Sequence, residues 1–133
     1  MANRSPAGAL PVYQVMLKDL QDSLPTCVIA GPNRYRTWLY VHALTPMVLR
    51  LHPQVVDFLR DALTDLAEGR TLHRSLRKDP TMSYPDCLVV GQGDRAWLHV
   101  FAATPSAVKL HPRTVGFLQD ALADLPATPA RWP

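Results

Sequence analysis

Arg36-Thr37-Trp38-Leu39-Tyr40-Val41, running through Thr45-Pro46 and Leu51-His52-Pro53 to Asp65-Leu66, is written a second time. It returns as Arg95-Ala96-Trp97-Leu98-His99-Val100, through Thr104-Pro105 and Leu110-His111-Pro112, to Asp124-Leu125. Aligned without gaps, Arg36–Leu66 and Arg95–Leu125 share 18 identities in 31 positions. One unit has been used twice, and residues kept in both copies mark what the unit must bury or present. The match extends upstream, where Ser23-Leu24-Pro25-Thr26-Cys27 pairs with Ser83-Tyr84-Pro85-Asp86-Cys87 and Lys18-Asp19 with Lys78-Asp79. The offset there is larger by one, which puts an extra residue in the first copy near Gly31-Pro32-Asn33 or Gly91-Gln92-Gly93. A turn is where such a change is tolerated.

Each copy reads as four strands and a helix. Val12–Lys18 and Leu72–Lys78 have extended character, the second being polar enough to make a weak strand. Cys27–Ala30 and Cys87–Val90 are short β-rich runs, preceded by proline and ended by glycine. Gly31-Pro32-Asn33 and Gly91-Gln92-Gly93-Asp94 read as hairpin turns. A third strand is predicted over Arg36–Leu44 and Arg95–Ala103, and a short fourth over Val48–Leu51 and Ala107–Leu110. His52 or His111 then stands at an N-cap position, with Pro53 or Pro112 in the first helical turn, where its missing N–H costs nothing. Val56, Leu59, Leu63 and Leu66 recur at helical spacing, as do Val115, Leu118, Leu122 and Leu125. Asp57, Asp61 and Asp65 line the opposite side, and Gly69 or Pro126 ends each helix. Gly116, where the first copy has Asp57, either marks close packing or carries no structural meaning.

With 133 residues, two independent domains of about sixty residues would each be marginal, so the copies are expected to share one core. The expected class is α+β: two tandem ββββα repeats, 12–69 and 70–125, forming one pseudo-twofold domain of antiparallel sheets each backed by a helix. Residues 1–11 and 126–133, rich in alanine and proline, read as flexible tails. The composition, 47% apolar and 19% charged, is that of a globular chain. No apolar run approaches a membrane span and no signal-like stretch follows the N-terminus, so a cytoplasmic location is expected. The net charge of +3 permits an anionic partner without demanding one. Cys27 and Cys87 fall at equivalent places in apolar runs and read as buried, unreactive thiols in preference to a disulfide.

The two-residue period of the third strand separates two faces. Leu39, Val41 and Ala43, with Leu98, Val100 and Ala102, suit the helix side. Arg36, Trp38, Tyr40 and His42, answered by Arg95, Trp97, His99 and Phe101, occupy the other, joined by Arg50 and Lys109 from the fourth strands. Arginine in register with tryptophan argues that this second face is exposed. Rings flanked by cations suit unpaired bases and phosphates, so these ten residues form the candidate nucleic-acid-binding set. Lys18, Arg34, Arg74, Arg77 and Lys78 extend the cationic rim. The competing reading buries the same rings in the core or against another protein or a second copy of the chain.

The word Leu49-Arg50-Leu51 followed by Phe58-Leu59-Arg60-Asp61-Ala62-Leu63-Thr64-Asp65-Leu66, placed behind four strands and given twice, resembles the repeat of the Pur-alpha family. More distantly it is similar to the Whirly and positive-cofactor-four single-strand binders. The resemblance spans Val12–Leu125 and implies an intramolecular dimer of repeats that binds single-stranded DNA or RNA on curved sheets.

Other chemistry is set aside. His52 and His111 lack a second ligand at zinc spacing, and helix capping explains them. Asp61 with Asp65, and Asp120 with Asp124, read as solvated helix faces. There is no Gly-rich phosphate loop, and neither cysteine has a histidine partner in sequence. The expectation is a non-catalytic protein without cofactor, metal, membrane or small-molecule substrate. Its partner is single-stranded nucleic acid, with self-association into a homodimer open; the alternative is a protein-interaction or assembly module using the same aromatic face.

Overall fold

A computed structural model of the chain describes residues 11–78, 81 and 84–126. Nearly all of both predicted tails, together with Asp79, Pro80, Met82 and Ser83, lie outside the described residues. The first repeat contains β1 (Val12–Met16), β2 (Thr26–Asn33), β3 (Arg36–His42), β4 (Met47–Arg50) and α1 (Pro53–Ala67). The second contains β5 (Leu72–Leu76), β6 (Asp86–Gly91), β7 (Trp97–Phe101), β8 (Ser106–Lys109) and α2 (Pro112–Leu122). Each set of four strands forms an antiparallel meander in chain order, followed by its helix. The expected α+β class and duplicated ββββα plan are what the chain adopts. No helix among the described residues is long and apolar enough to cross a membrane.

Alternation along the strands produces the layers. Cys27, Ile29, Leu39, Val41, Met47 and Leu49 point inward from the first sheet, and Cys87, Val89, Leu98, Val100 and Val108 follow from the second, with Leu110 buried just beyond β8. Leu39 and Leu98 are each 1% exposed. The helices close this face with Val56, Leu59, Leu63 and Leu66 from α1 and Val115, Leu118 and Leu122 from α2, all in one continuous core. Each such aliphatic side chain contributes roughly 1.5–3 kcal/mol on burial. Ala43 and Ala102 depart from the expected alternation: β3 and β7 end at His42 and Phe101, so both alanines lie in turns and are exposed.

Both helices begin as expected. The Nδ1 of His52 accepts from the Gln54 N–H at 3.1 Å, and that of His111 from the Arg113 N–H at 3.0 Å. A neutral imidazole thereby satisfies one of the orphan donors of the first turn. Helix α1 ends at Gly69, whose φ of +82° lets Arg70 N–H reach Asp65 C=O and Gly69 N–H reach Leu66 C=O. Helix α2 stops earlier than its Pro126 marker suggested, at Leu122. Arg60 of α1 takes over there: its guanidinium donates to the carbonyls of Leu122 at 2.6 Å, Ala123 at 2.7 Å and Leu125 at 2.8 Å.

Reciprocal contacts hold the repeats about a pseudo-twofold axis. The helices pack on each other, α1 meets β5, α2 meets β1, and β4 lies against β8. The start of α1 reaches the β5–β6 connection, where Tyr84 O–H donates to the side-chain oxygen of Gln54 and its ring lies 5.1 Å from that of His52. The start of α2 reaches the β1–β2 connection, where Arg113 pairs with Asp19 at 2.6 Å and Asp22 at 3.1 Å.

Three further expectations are corrected, and the open reading of Gly116 is resolved. Gly31-Pro32-Asn33 is part of β2, not a turn; the extra residue makes a register irregularity between Ala30 and Asn33, and the chain reverses at Arg34-Tyr35. In the second repeat Gln92-Gly93-Asp94 does turn, with Arg95 N–H on Gln92 C=O. The polar strand β5 is as long as β1, because Leu72 is buried and Arg74 has an acceptor at its edge, Asp65 at 2.7 Å. Asp65 is therefore no solvated carboxylate: it lies between Arg70 and Arg74 with 14% of its side chain exposed. Gly116 marks no close packing, since a Cβ built there meets nothing within 4 Å.

Candidate nucleic-acid interface

The outer faces of the two sheets are built in matching rows, because directly paired residues in an antiparallel sheet share a face. In the first sheet one row runs Tyr13, Ala30, Trp38, Arg50; in the second the equivalent row runs His73, Val90, Trp97, Lys109. Each thus reads ring, aliphatic, indole, cation. The next rows are Val15, Val28, Tyr40, Val48 and Ser75, Leu88, His99, Ala107. A third pairs Thr26 with His42 and Asp86 with Phe101.

Nine of the ten candidate residues lie on these faces or at the start of their strands. Trp97 is 42% and Phe101 49% exposed, while Trp38, Tyr40, His99 and Arg50 are half-buried and His42 and Lys109 are exposed. Arg36 opens β3 opposite Asn33. Arg95 is exposed but falls in the turn before β7, so the two arginines are not structurally equivalent in pairing. His99 and Phe101 stack nearly parallel, with centroids 6.1 Å apart and planes at 9°. The β3–β4 turn of the first repeat borders this second face: Thr45 shares a shallow groove with His99, Phe101 and Ala107.

The outer faces are poor in carboxylates. Asp86 is the only acid in the paired rows above, and its side chain accepts the backbone N–H of Lys78; Thr26 does the same for Lys18 at 3.1 Å. These equivalent bonds tie the exposed Lys18 and Lys78 to the rim. Arg77 is exposed beside them. Arg74 belongs elsewhere: it pairs with Val89 on the inner side and is bound to Asp65. Arg34 is also drawn inward, its Nε buried without a hydrogen-bond partner among the described residues where β1 approaches the end of α2.

Tyr13, 72% exposed, and His73 complete the rows and were absent from the predicted set. The alternation Val12-Tyr13-Gln14-Val15 carried the signal, but only the pairing with β2 shows which face Tyr13 joins. The cysteines stay off these faces. Both thiols are free and buried, and desolvation pushes Cys27 up to about 11 and Cys87 up to about 12, the latter aided by the charge of Asp86.

No family model matches this chain, and neither a curated protein nor a solved structure matches it.

Proposed function

We propose that the chain is a non-catalytic, cytoplasmic single-stranded DNA- or RNA-binding protein that uses both outer sheet faces. The observation supporting this reading is the repeated row in which an outer-face indole stands beside a cation, the half-buried Trp38 with Arg50 and the exposed Trp97 with Lys109. Indole faces stack on unpaired bases whatever their sequence, and the adjacent cation neutralises a phosphate. Tyr40, His99 and Phe101 widen the stacking surface, and Arg36, Arg95, Lys18, Arg77 and Lys78 line its rim. The resemblance of the repeat to the Pur-alpha family supports the same reading.

Fluorescence anisotropy with labelled single-stranded DNA and RNA oligonucleotides tests it. Affinity is expected to fall steeply with added salt, as counterion release requires. Replacing Trp38 and Trp97 together by alanine is expected to weaken binding by about tenfold or more, since each stacked base is worth roughly 1–3 kcal/mol. Circular dichroism of the double variant checks that the fold persists. Unchanged oligonucleotide affinity in a folded double variant rejects the stacking role. A complex with protein that ignores salt and is lost in the same variant supports the assembly-module reading.

A further inference from the structure

With β4 lying against β8, the sheet edges far from that seam are β1, which α2 meets, and β5, which α1 meets. These equivalent strands are defended differently. The middle residue of β5 is Arg74, and Arg77 and Lys78 follow it. A second copy pairing there would set Arg74 against its own twin. The middle residue of β1 is Gln14, and Val12-Tyr13-Gln14-Val15-Met16 contains no charge, proline or bulge. An edge left in this state is a template for another strand, because among the described residues alternate N–H and C=O groups face away from β2 without a partner strand.

We propose that β1 is a homodimer interface, in which two copies pair antiparallel about a twofold axis at Gln14 and join their first sheets into one of eight strands. The self-complementarity is specific to this register. Tyr13 meets Val15 of the other copy, Val12 meets Met16, Gln14 meets Gln14, and Pro11 meets Leu17. Aromatic and β-branched residues are a favourable cross-strand pair, and the twofold axis produces it twice in the dimer. Leu17 is 73% exposed although apolar, and this pairing covers it. A second copy is the occupant because one uncharged strand matches itself at every position and opposes no like charges, which β5 does not. This pairing does not rest on nucleic-acid binding, although Tyr13 belongs to both surfaces and the dimer brings the outer faces of the two first sheets onto one surface.

Sedimentation analysis over a wide concentration range, together with a charge swap on β1, tests the proposal. The wild-type chain is expected to dimerise with rising concentration. The variant carrying Tyr13→Lys and Val15→Lys, and the variant carrying Tyr13→Glu and Val15→Glu, are each expected to dimerise at least about tenfold more weakly, because like charges then oppose each other. Their equimolar mixture is expected to form a one-to-one dimer, since each Lys meets a Glu. Hydrogen exchange of the wild-type chain supplies a readout that needs no substitution: protection of β1 amides is expected to rise with concentration while that of β5 stays constant. A monomer at every concentration, a dimer indifferent to both substitutions, or a mixture that fails to pair overturns the interface.

Discussion

Helices α1 and α2 are written in nearly the same residues and are finished in different ways. Helix α1 closes on its own backbone through Gly69, and its last acidic residue, Asp65, is held by Arg70 and Arg74 from the segment that follows. Helix α2 has its terminal carbonyls satisfied by Arg60, a residue of the other helix. The equivalent of Arg60 in the second repeat is Gln119, which has no reciprocal bond to α1 among those described. The duplication therefore preserved the core and allowed the ends to diverge, so that the second repeat depends on the first for a function the first performs alone.

The sharpest test of this comparison concerns a position where the repeats have not diverged. A Cβ at Gly31 would lie 1.9 Å from the carbonyl oxygen of Arg36, and one at Gly91 2.2 Å from that of Arg95. Gly91 also has φ of +123°. Gly31→Ala and Gly91→Ala are each expected to destabilise the chain by about 3 kcal/mol or more in urea unfolding, Gly91→Ala the more severely because backbone strain adds to the clash. Equal stability to wild type in either variant would show that the two strands can separate there without cost.

Next in size is the helix end itself. Arg60→Met removes a charged donor from three carbonyls and is expected to cost about 1.5–3 kcal/mol, whereas Gln119→Met is expected to stay within about 0.5 kcal/mol. Similar losses from the two substitutions would erase the asymmetry. A gain is expected from making the copies more alike. Thr114 is fully buried with its hydroxyl unpartnered among the described residues, at the position where the first repeat has the equally buried Val55. Thr114→Val is expected to stabilise the chain by about 1 kcal/mol, read as a higher urea midpoint.

The smallest effect is a pH dependence. Burial, assisted by the charge of Arg50, holds His52 below its ordinary value of 6.5. The folded state favours the neutral ring, so this contribution is complete above pH 6.5 and is lost as pH falls from there through the lower folded value. Protonation places a hydrogen on the nitrogen that accepts from Gln54. His52→Asn keeps a cap at every pH and is expected to flatten this part of the stability profile, by less than about 1 kcal/mol for a partly exposed group. An unchanged slope would assign the acid sensitivity to other groups.

The plan of the molecule was legible because each repeat states it in local terms. Alternation set the inner and outer residues of β3 and β7, and Leu-His-Pro marked both helix starts. The ends of elements were harder to read, because they depend on partners distant in sequence. Nothing near Leu122 announces that Arg60 will receive its carbonyl, and nothing near Asp65 distinguishes it from a solvated acid until Arg74 is brought beside it. The candidate site follows the same division. Trp38 and Trp97 could be placed on a face from period alone, but adding Tyr13 and His73 required the register of β1 and β5, whose mixed patterns leave it open: Val12 and Val15 fall on opposite faces, and Arg74 stands on the inner one.

Each repeat encloses one thiol, Cys27 in β2 and Cys87 in β6, and both are silent while the core is shut. A brief pulse of an alkylating reagent therefore records opening events, and proteolytic peptides carrying the adduct separate those of one repeat from those of the other. Equal labelling would mean that the halves breathe as a single cooperative unit; a lead for Cys87 would mean that the repeat leaning on Arg60 loosens first. The duplication thus equips the chain with an internal pair of clocks that start together only if the two halves do.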